Sequence, residues 1–131
     1  MTKEEKQILL IDLSARLPYN VKCRVVWDDT SDKILTPVEL FGFEMNAISE
    51  INPYLRPMSS MTEEERRYLL EELGFDEDLE NGELNDFGSY VYRSVNVLPL
   101  FDWLNAHHFD YRGLIEKGLA LEAKRGMYKN K

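Results

Sequence analysis

The sequence predicts a small α+β protein in which an N-terminal helix precedes a three-stranded antiparallel meander and two to three further helices. Leucines near the N-terminus recur with the period of a helix, apolar residues from Val21 onward alternate with the period of a strand, and the helical period returns after Thr62. A chain of 131 residues is typical of a single domain, 1–131, that buries its own core without metals or disulfides.

The first helix is predicted by its N-terminal signal and by its apolar side. Thr2 and Glu5 have the spacing of a capping box, in which each side chain bonds the other residue's backbone N–H. Apolar side chains then recur with helical spacing at Leu10, Leu13 and Leu17. Pro18 disfavours helical geometry at the residue before it, so the helix should end near position 17.

Three strands are predicted between residues 21 and 48. Residues 21–27 alternate between core-facing and outward positions, and a polar turn cluster follows at 28–32. A second strand should span Lys33–Phe41, with Pro37 at an edge or bulge, and a third should span Phe43–Ile48. The short connections leave no room for a parallel crossover, so an antiparallel meander is expected, either open or bent toward a small barrel.

An extended connector is predicted over Asn52–Met61, because two prolines fix the backbone and block a helix. Tyr54 and Arg56 are candidate partner-binding residues, since Tyr and Arg are favoured interface anchors and prolines lower the ordering cost of binding. The alternative is that the connector simply packs on the sheet.

The clearest helix of the second half begins after Thr62, which forms a second capping-box pattern with Glu65, and should end before Gly74. The acidic segment 75–88 predicts a loop, ordered or mobile in the free protein, and residues 90–92 a short strand.

The C-terminal part should hold a helix over Asn96–His107, which tolerates Pro99 in its first turn. Asp110 is placed to cap a short helix from residue 111, and a basic tail follows at 124–131. The core is expected to draw on the leucine stripes and on three aromatic residues, Trp27, Phe101 and Trp103.

The negative charge is concentrated in one stretch. The net charge is −8, yet residues 62–86 contain eleven carboxylates against two arginines, a local charge of −9. This acidic segment is a candidate docking surface for a basic protein, with four carboxylates at its centre: Asp76, Glu77, Asp78 and Glu80. A solvated charge run is the alternative, and the order of the carboxylates does not fit a calcium-binding EF-hand loop. The acidic balance also disfavours sequence-independent binding to nucleic acid, although the basic tail could touch an anion.

Candidate catalytic residues are few. The strongest candidates are the imidazoles and the carboxylate of His107, His108 and Asp110, which can bind a transition metal or carry protons. Adjacent residues of a helix, however, point about 100° apart, so the two imidazoles do not readily meet at one ion. The alternative is a structural role at the end of the helix. Cys23, the single cysteine, is expected to be a small buried side chain rather than a nucleophile. Ser59 and Ser60 lack a nucleophile elbow. No cofactor and no bound metal is expected.

A reducing compartment suits the single cysteine, and the polar residues after Met1 are not typical of a signal peptide. No apolar run approaches the ~20 residues of a membrane span. We therefore expect a cytoplasmic protein without membrane contact.

Three segments of the sequence carry a resemblance: LPY at 17–19, PYLRPMSSMTEEE at 53–65 and DWLNAHHFDYRGLIEKGLALEA at 102–123. With these, the chain resembles a family of small uncharacterised proteins of gut anaerobes and their phages or prophages. The resemblance implies an accessory protein of a bacterium, phage or prophage, and it implies no activity, cofactor or catalytic residue.

Together these observations favour a non-catalytic accessory protein that acts by binding another protein, with segment 62–86 as its docking surface. The alternative is a small metal-dependent hydrolase or nuclease-like enzyme that uses His107, His108 and Asp110.

Overall fold

Helices and a mixed β-sheet make up the computed structural model, which describes residues 1–27, 29–72 and 97–128. The α+β class is therefore confirmed. Contacts divide the chain into a first unit, Met1–Leu55 with Gly113–Lys131, and a second unit, Arg56–Arg112.

The first unit contains two helices, a short 3-10 turn and the sheet. In chain order these are α1 (Lys3–Arg16), the 3-10 turn (Leu17–Tyr19), β1 (Lys22–Val26), β2 (Thr30–Ile34), α2 (Pro37–Glu44), β3 (Glu50–Leu55) and β4 (Leu121–Glu122). The second unit contains a 3-10 turn (Met58–Ser60), α3 (Glu63–Glu72) and α4 (Val97–Ala106).

The strands described by the structure form one open sheet in the order β2-β1-β3-β4. Strand β1 pairs antiparallel with both β2 and β3, whereas β4 joins β3 in parallel. The three-stranded meander is therefore wrong in its strand order and count, and the sheet does not close into a barrel.

The predicted second and third strands are wrong because α2 occupies residues 37–44, about half of their span, and the second strand overlaps β2 at Lys33 and Ile34 alone. Thr36 and Glu39 form a capping box in which the Thr36 N–H donates to the Glu39 carboxylate at 2.8 Å. Pro37 then stands in the first helical turn, where its missing N–H costs nothing. The strand that follows begins at Glu50, so the first residues of the predicted connector, 52–55, belong to β3.

The other local signals are confirmed. The capping boxes of Thr2 with Glu5 and of Thr62 with Glu65 both form, with N–H to side-chain distances between 2.8 and 3.1 Å. The predicted helix over residues 96–107 is present as α4. The predicted loop at 75–88 and strand at 90–92 lie outside the described residues.

The predicted C-terminal helix is wrong. Turns replace it, and Gly113 and Gly118 have φ values of 73° and 77°, which a continuous helix cannot contain. The described part of the tail is also anchored on the sheet: the Tyr128 hydroxyl accepts a hydrogen bond from the Lys22 N–H and donates to the Tyr54 carbonyl, both at 2.8 Å, and Lys22 Nζ donates to the Met127 carbonyl at 3.0 Å.

Each unit has its own apolar cluster. In the first unit, residues of α1 and the sheet are fully buried, including Leu9, Leu13, Cys23, Ile51 and Leu55. In the second unit, the cluster consists of Met58, Met61, Leu69, Leu100, Leu104 and Phe109. Phe101 and Trp103 pack against that second cluster while partly buried. Trp27 is 49% exposed, so its predicted place in the core is wrong.

One ion pair lies inside the first unit. Arg16 Nε donates to Asp12 Oδ2 at 2.8 Å across one turn of α1, and both side chains are 0% exposed. The surroundings are therefore desolvated, and the two charges are held there by each other.

Candidate functional site

Helix α2 presents an apolar row to solvent. Val38, Phe41 and Met45, the last at the C-cap, are 61%, 63% and 61% exposed. Their spacing of three and four residues places them on one side of the helix. We call this row the α2 stripe. Single exposed apolar residues are ordinary, whereas a row of exposed apolar residues that includes a Phe makes this surface a candidate interaction site.

The opposite side of α2 fixes the helix in place. Phe43 is buried in the core of the first unit, and Gly42 lets Ile48 pack against the helix backbone. A Cβ at position 42 would lie 2.9 Å from Ile48 Cδ1, closer than van der Waals contact allows. The α2 stripe is therefore the outer surface of a helix whose other side is tightly packed.

The C-terminal end of α2 is closed by a Schellman motif. Asn46 has a left-handed φ of 66°, its N–H donates to the Phe43 carbonyl at 3.2 Å, and the Ala47 N–H donates to the Gly42 carbonyl at 2.8 Å. Because Asn tolerates this conformation, the helix ends without strain just after the stripe.

Glu39 is the acidic residue of α2 that turns inward. Its carboxylate is 2.9 Å from Lys33 Nζ and its side chain is 5% exposed. Burial raises the pKa of Glu39, but the hydrogen bonds from Thr36 and Lys33 outweigh this effect and hold the pKa below 4.5. Glu44, at the C-terminal end, is exposed. Of the two carboxylates of α2, Glu44 is therefore the one exposed beside the α2 stripe.

The two predicted partner-binding residues of the connector already have intramolecular partners. Tyr54 is buried on β3, donates its hydroxyl proton to Asp32 at 2.9 Å and lies under the Lys124 ammonium group. Burial, followed by the Asp32 hydrogen bond, raises the pKa of Tyr54. Arg56 makes two hydrogen bonds with the Glu65 carboxylate, at 2.8 and 2.9 Å. Their role in binding a partner stays a prediction.

Arg56 also stacks on an aromatic group of the second unit. Its guanidinium lies 4.1 Å from the centre of the Phe109 ring, and Phe109 stacks on Trp103 at 5.8 Å. Burial raises the pKa of Glu65, but the Arg56 hydrogen bond and the Thr62 N–H outweigh it and hold the pKa below 4.5.

The predicted catalytic histidines lie at the C-terminal end of α4. His107 Nδ1 is 2.9 Å from the Trp103 carbonyl, and its ring stacks on Trp103 with centroids 4.2 Å apart. His108 is buried with a left-handed φ of 63°, and its N–H donates to the Asn105 carbonyl at 3.1 Å. The Phe109 N–H reaches back to the Leu104 carbonyl at 3.0 Å, which completes a second Schellman motif.

Asp110 is buried next to this helix end, and its N–H donates to the Arg56 carbonyl at 2.8 Å. Among residues 1–27, 29–72 and 97–128, no three His, Cys, Asp or Glu side chains are grouped so that they could hold a metal ion. The part of the chain that the structure describes therefore contains no group of ligands for the metal ion of the enzyme alternative.

The two other nucleophile candidates have structural surroundings. Cys23 is fully buried, and burial, reinforced by the Asp12 and Glu39 charges, raises the pKa of its thiol to about 12. The thiol is thus protonated at neutral pH and shielded from solvent. Ser60 donates its hydroxyl proton to the Pro57 carbonyl at 2.7 Å within its own turn.

The described part of the acidic segment is helix α3. Four exposed residues repeat on one side of it, with exposed Arg67 at its border: Glu64, Tyr68, Glu71 and Glu72. We call this surface the α3 acidic face. Tyr68 is 43% exposed and stacks on Trp103 with centroids 5.8 Å apart. The central carboxylates, Asp76, Glu77, Asp78 and Glu80, lie outside the described residues.

The α2 stripe was missed by sequence reasoning, because its apolar residues were assigned to buried strands. The signal that could have revealed it is the sequence Thr-Pro-Val-Glu at 36–39, which combines a capping box with proline in the first turn. A helix read from that start puts Val38, Phe41 and Met45 in one row.

Comparisons of the chain with protein-family models, with curated proteins and with solved structures find no match. No helix within the described residues is long and apolar enough to span a membrane.

Proposed function

We propose that this chain is a non-catalytic accessory protein that acts by binding another protein, and that the α2 stripe is a principal contact surface. The observation that carries the proposal is the exposure of Val38, Phe41 and Met45, each above 60%, in one row on a helix. Burial of exposed aromatic and methionine side chains is the main source of affinity at protein interfaces.

The rigidity of α2 supports this role. The Schellman motif, the capping box and the Gly42–Ile48 contact hold the helix before any partner arrives. A preorganised surface loses less conformational entropy on binding than a surface that must first fold. The α2 stripe can therefore give useful affinity with only three large side chains.

The acidic segment 62–86 is proposed as a second docking surface, for a basic protein. Support comes from the α3 acidic face, where three exposed carboxylates flank the exposed ring of Tyr68. Carboxylates steer a basic partner over long range, and a tyrosine ring attracts cations at contact. Binding through this surface should weaken as salt rises.

A cytoplasmic location and an origin in a bacterium, phage or prophage are proposed as the context. The resemblance of three sequence segments supports the origin, and the single, buried, free thiol of Cys23 suits a reducing compartment. Fractionation of cells expressing the tagged chain tests the location.

The function is tested by comparing three immobilised proteins: wild type, Phe41→Glu and Ile11→Glu. Ile11 is a matched control, because it is an exposed apolar residue (49%) on α1. Proteins captured from a gut-anaerobe lysate are identified by mass spectrometry, purified and titrated by calorimetry against each variant.

Phe41→Glu should weaken binding by about tenfold or more, because a charge would enter an apolar contact, while Ile11→Glu should leave it within about twofold. Equal binding by Phe41→Glu and wild type would contradict a role for the α2 stripe. Lysine substitutions at Glu64 and Glu71 test the α3 acidic face separately, with a salt-dependent loss expected.

A further inference from the structure

We propose that the α2 stripe is covered by the α2 stripe of a second copy of this chain, the two helices lying antiparallel about a twofold axis. This inference rests on the proposed function and names the occupant of its contact surface. Two observations carry it, the spacing of the stripe and the charge at the ends of α2, and the exposed area sets how tight the association can be.

The spacing of the α2 stripe is nearly symmetric about Phe41. At 1.5 Å per helical residue, Val38 lies about 4.5 Å before Phe41 along the axis and Met45 about 6 Å after it. Antiparallel helices therefore bring Phe41 close to Phe41 of the second copy, with Val38 near Met45. A self-complementary patch is what a twofold interface requires.

The exposed charge on α2 favours the same arrangement. Glu44 stands at the C-terminal end of its own helix, where the partial negative charge of the backbone makes a carboxylate unfavourable. In an antiparallel pair, Glu44 would lie beside the N-terminal turn of the other α2, where a carboxylate is favourable.

Lys33 adds to this complementarity. It is 42% exposed and its ammonium lies 2.9 Å from the Glu39 carboxylate in the first turn of α2, so the negative charge of Glu39 at the N-terminal end is balanced and does not repel a second carboxylate. The antiparallel pair joins this end to Glu44 of the second copy, whereas a parallel pair would set the two Glu44 carboxylates side by side.

The exposed area sets the strength of the association. Phe41 alone offers on the order of 130 Å², and the whole stripe on the order of 300 Å², so two copies bury on the order of 600 Å². Stable interfaces bury about 1,200 Å² or more. The pair should therefore be a weak, reversible dimer that forms as the protein concentration rises.

Sedimentation velocity over a series of concentrations tests the dimer. Wild type should pass from monomer at low micromolar to dimer at high micromolar concentration. Phe41→Glu should raise the dissociation constant by more than about tenfold, and Ile11→Glu should not change it. Glu44→Lys should weaken the dimer several-fold at low salt and less at high salt. Protection of Cys23 from thiol reagents verifies that each variant is folded.

Cross-linking tests the orientation. Val38→Cys and Met45→Cys variants are mixed and treated with a short bifunctional thiol cross-linker, and buried Cys23 gives no background. Random pairing of equal amounts gives mixed and identical-position products in a 2:1:1 ratio, and the antiparallel pair predicts the mixed product well above that ratio. An excess of identical-position products would show a parallel pair and overturn the orientation.

The outcomes separate this inference from the proposed function. A chain that stays monomeric at every concentration overturns the second copy, yet the function stands if captured proteins still depend on Phe41. A dimer that survives Phe41→Glu uses another surface and also overturns the inference. If neither dimerisation nor capture depends on Phe41, both proposals fail.

Discussion

The buried ion pair of Asp12 and Arg16 gives the sharpest test of how the first unit is stabilised. Both side chains are 0% exposed, and the guanidinium Nε lies 2.8 Å from the carboxylate. Arg16→Met keeps most of the apolar stem but removes the charge, so the Asp12 carboxylate would remain in a desolvated site.

The expected cost follows from that burial. Breaking a buried pair by removing one partner lowers the free energy of unfolding by about 3–5 kcal/mol, because the remaining buried charge loses the opposite charge beside it. This is a large part of the about 5–15 kcal/mol that stabilises a typical domain. The double variant Asp12→Leu/Arg16→Met should be much more stable than the single variant, since neither charge of the pair is left buried.

Cys23 provides a local assay for the first unit. Its sulfur is buried and its thiol is protonated, so a thiol reagent reacts when this unit opens. Urea titration followed by Cys23 labelling gives the free energy of unfolding for wild type, the single variants and the double variant. A double-mutant cycle then isolates the coupling between the two charges.

An exposed ion pair serves as the matched control. Arg24 and Glu50 are 3.2 Å apart with side chains 36% and 43% exposed, so Glu50→Gln should change the free energy of unfolding by less than about 1 kcal/mol. If Arg16→Met costs no more than this control, the charges are not desolvated and the reasoning fails.

Three further predictions concern packing and titration. Gly42→Ala should cost about 1–2 kcal/mol in urea titrations because its Cβ would lie 2.9 Å from Ile48 Cδ1. Ile48→Val removes that atom, so the double variant should lose about 1 kcal/mol less than the sum of the two single variants, and additive effects would contradict the contact. Because the pKa of Cys23 is raised in the folded state, the thiol of the unfolded chain ionises first, near its ordinary pKa of 9.0. The free energy of unfolding should therefore fall between pH 9 and 12, by about 1.4 kcal/mol at pH 10. Cys23→Ala should remove this part of the pH dependence. The lowered pKa of Glu65 contributes stability above pH 4.5 that is lost as pH falls, so thermal unfolding of Glu65→Gln should depend less on acid; an unchanged acid slope would contradict that contribution.

Two of the three helices that begin with a Thr-x-x-Glu signal were predicted correctly from the sequence, and α2 is the one that was missed. α1 and α3 each begin with a Thr-x-x-Glu capping box, whose hydrogen bonds involve residues three apart and so depend little on the rest of the fold. The alternation of residues 21–27 likewise identified β1. For these segments, propensity and packing favour the same structure.

Contacts between distant residues were not predictable. Strand β4 is two residues long and pairs in parallel with β3, through Tyr54 and Leu121, sixty-seven positions apart. A segment this short has no periodicity of its own, and its strand character exists because β3 is beside it. Tyr128 was not predictable for the same reason, because its hydroxyl bonds backbone groups of Lys22 and Tyr54 that come together when the sheet forms.

The error over residues 33–48 has a different physical cause, and it bears directly on function. Phe41, Phe43 and Met45 alternate as the apolar residues of a strand do, and a pattern argument takes apolar residues to be buried. In the structure Phe43 is buried, whereas the two others lie in the α2 stripe. A helix that buries one apolar row and exposes another has no clear 3.6-residue period. The strand prediction for residues 33–48 failed because the exposed row does not contribute to the core of the fold. Places where local rules fail in this way are expected at functional surfaces, since an apolar row that the chain does not need for its own core is available to another molecule.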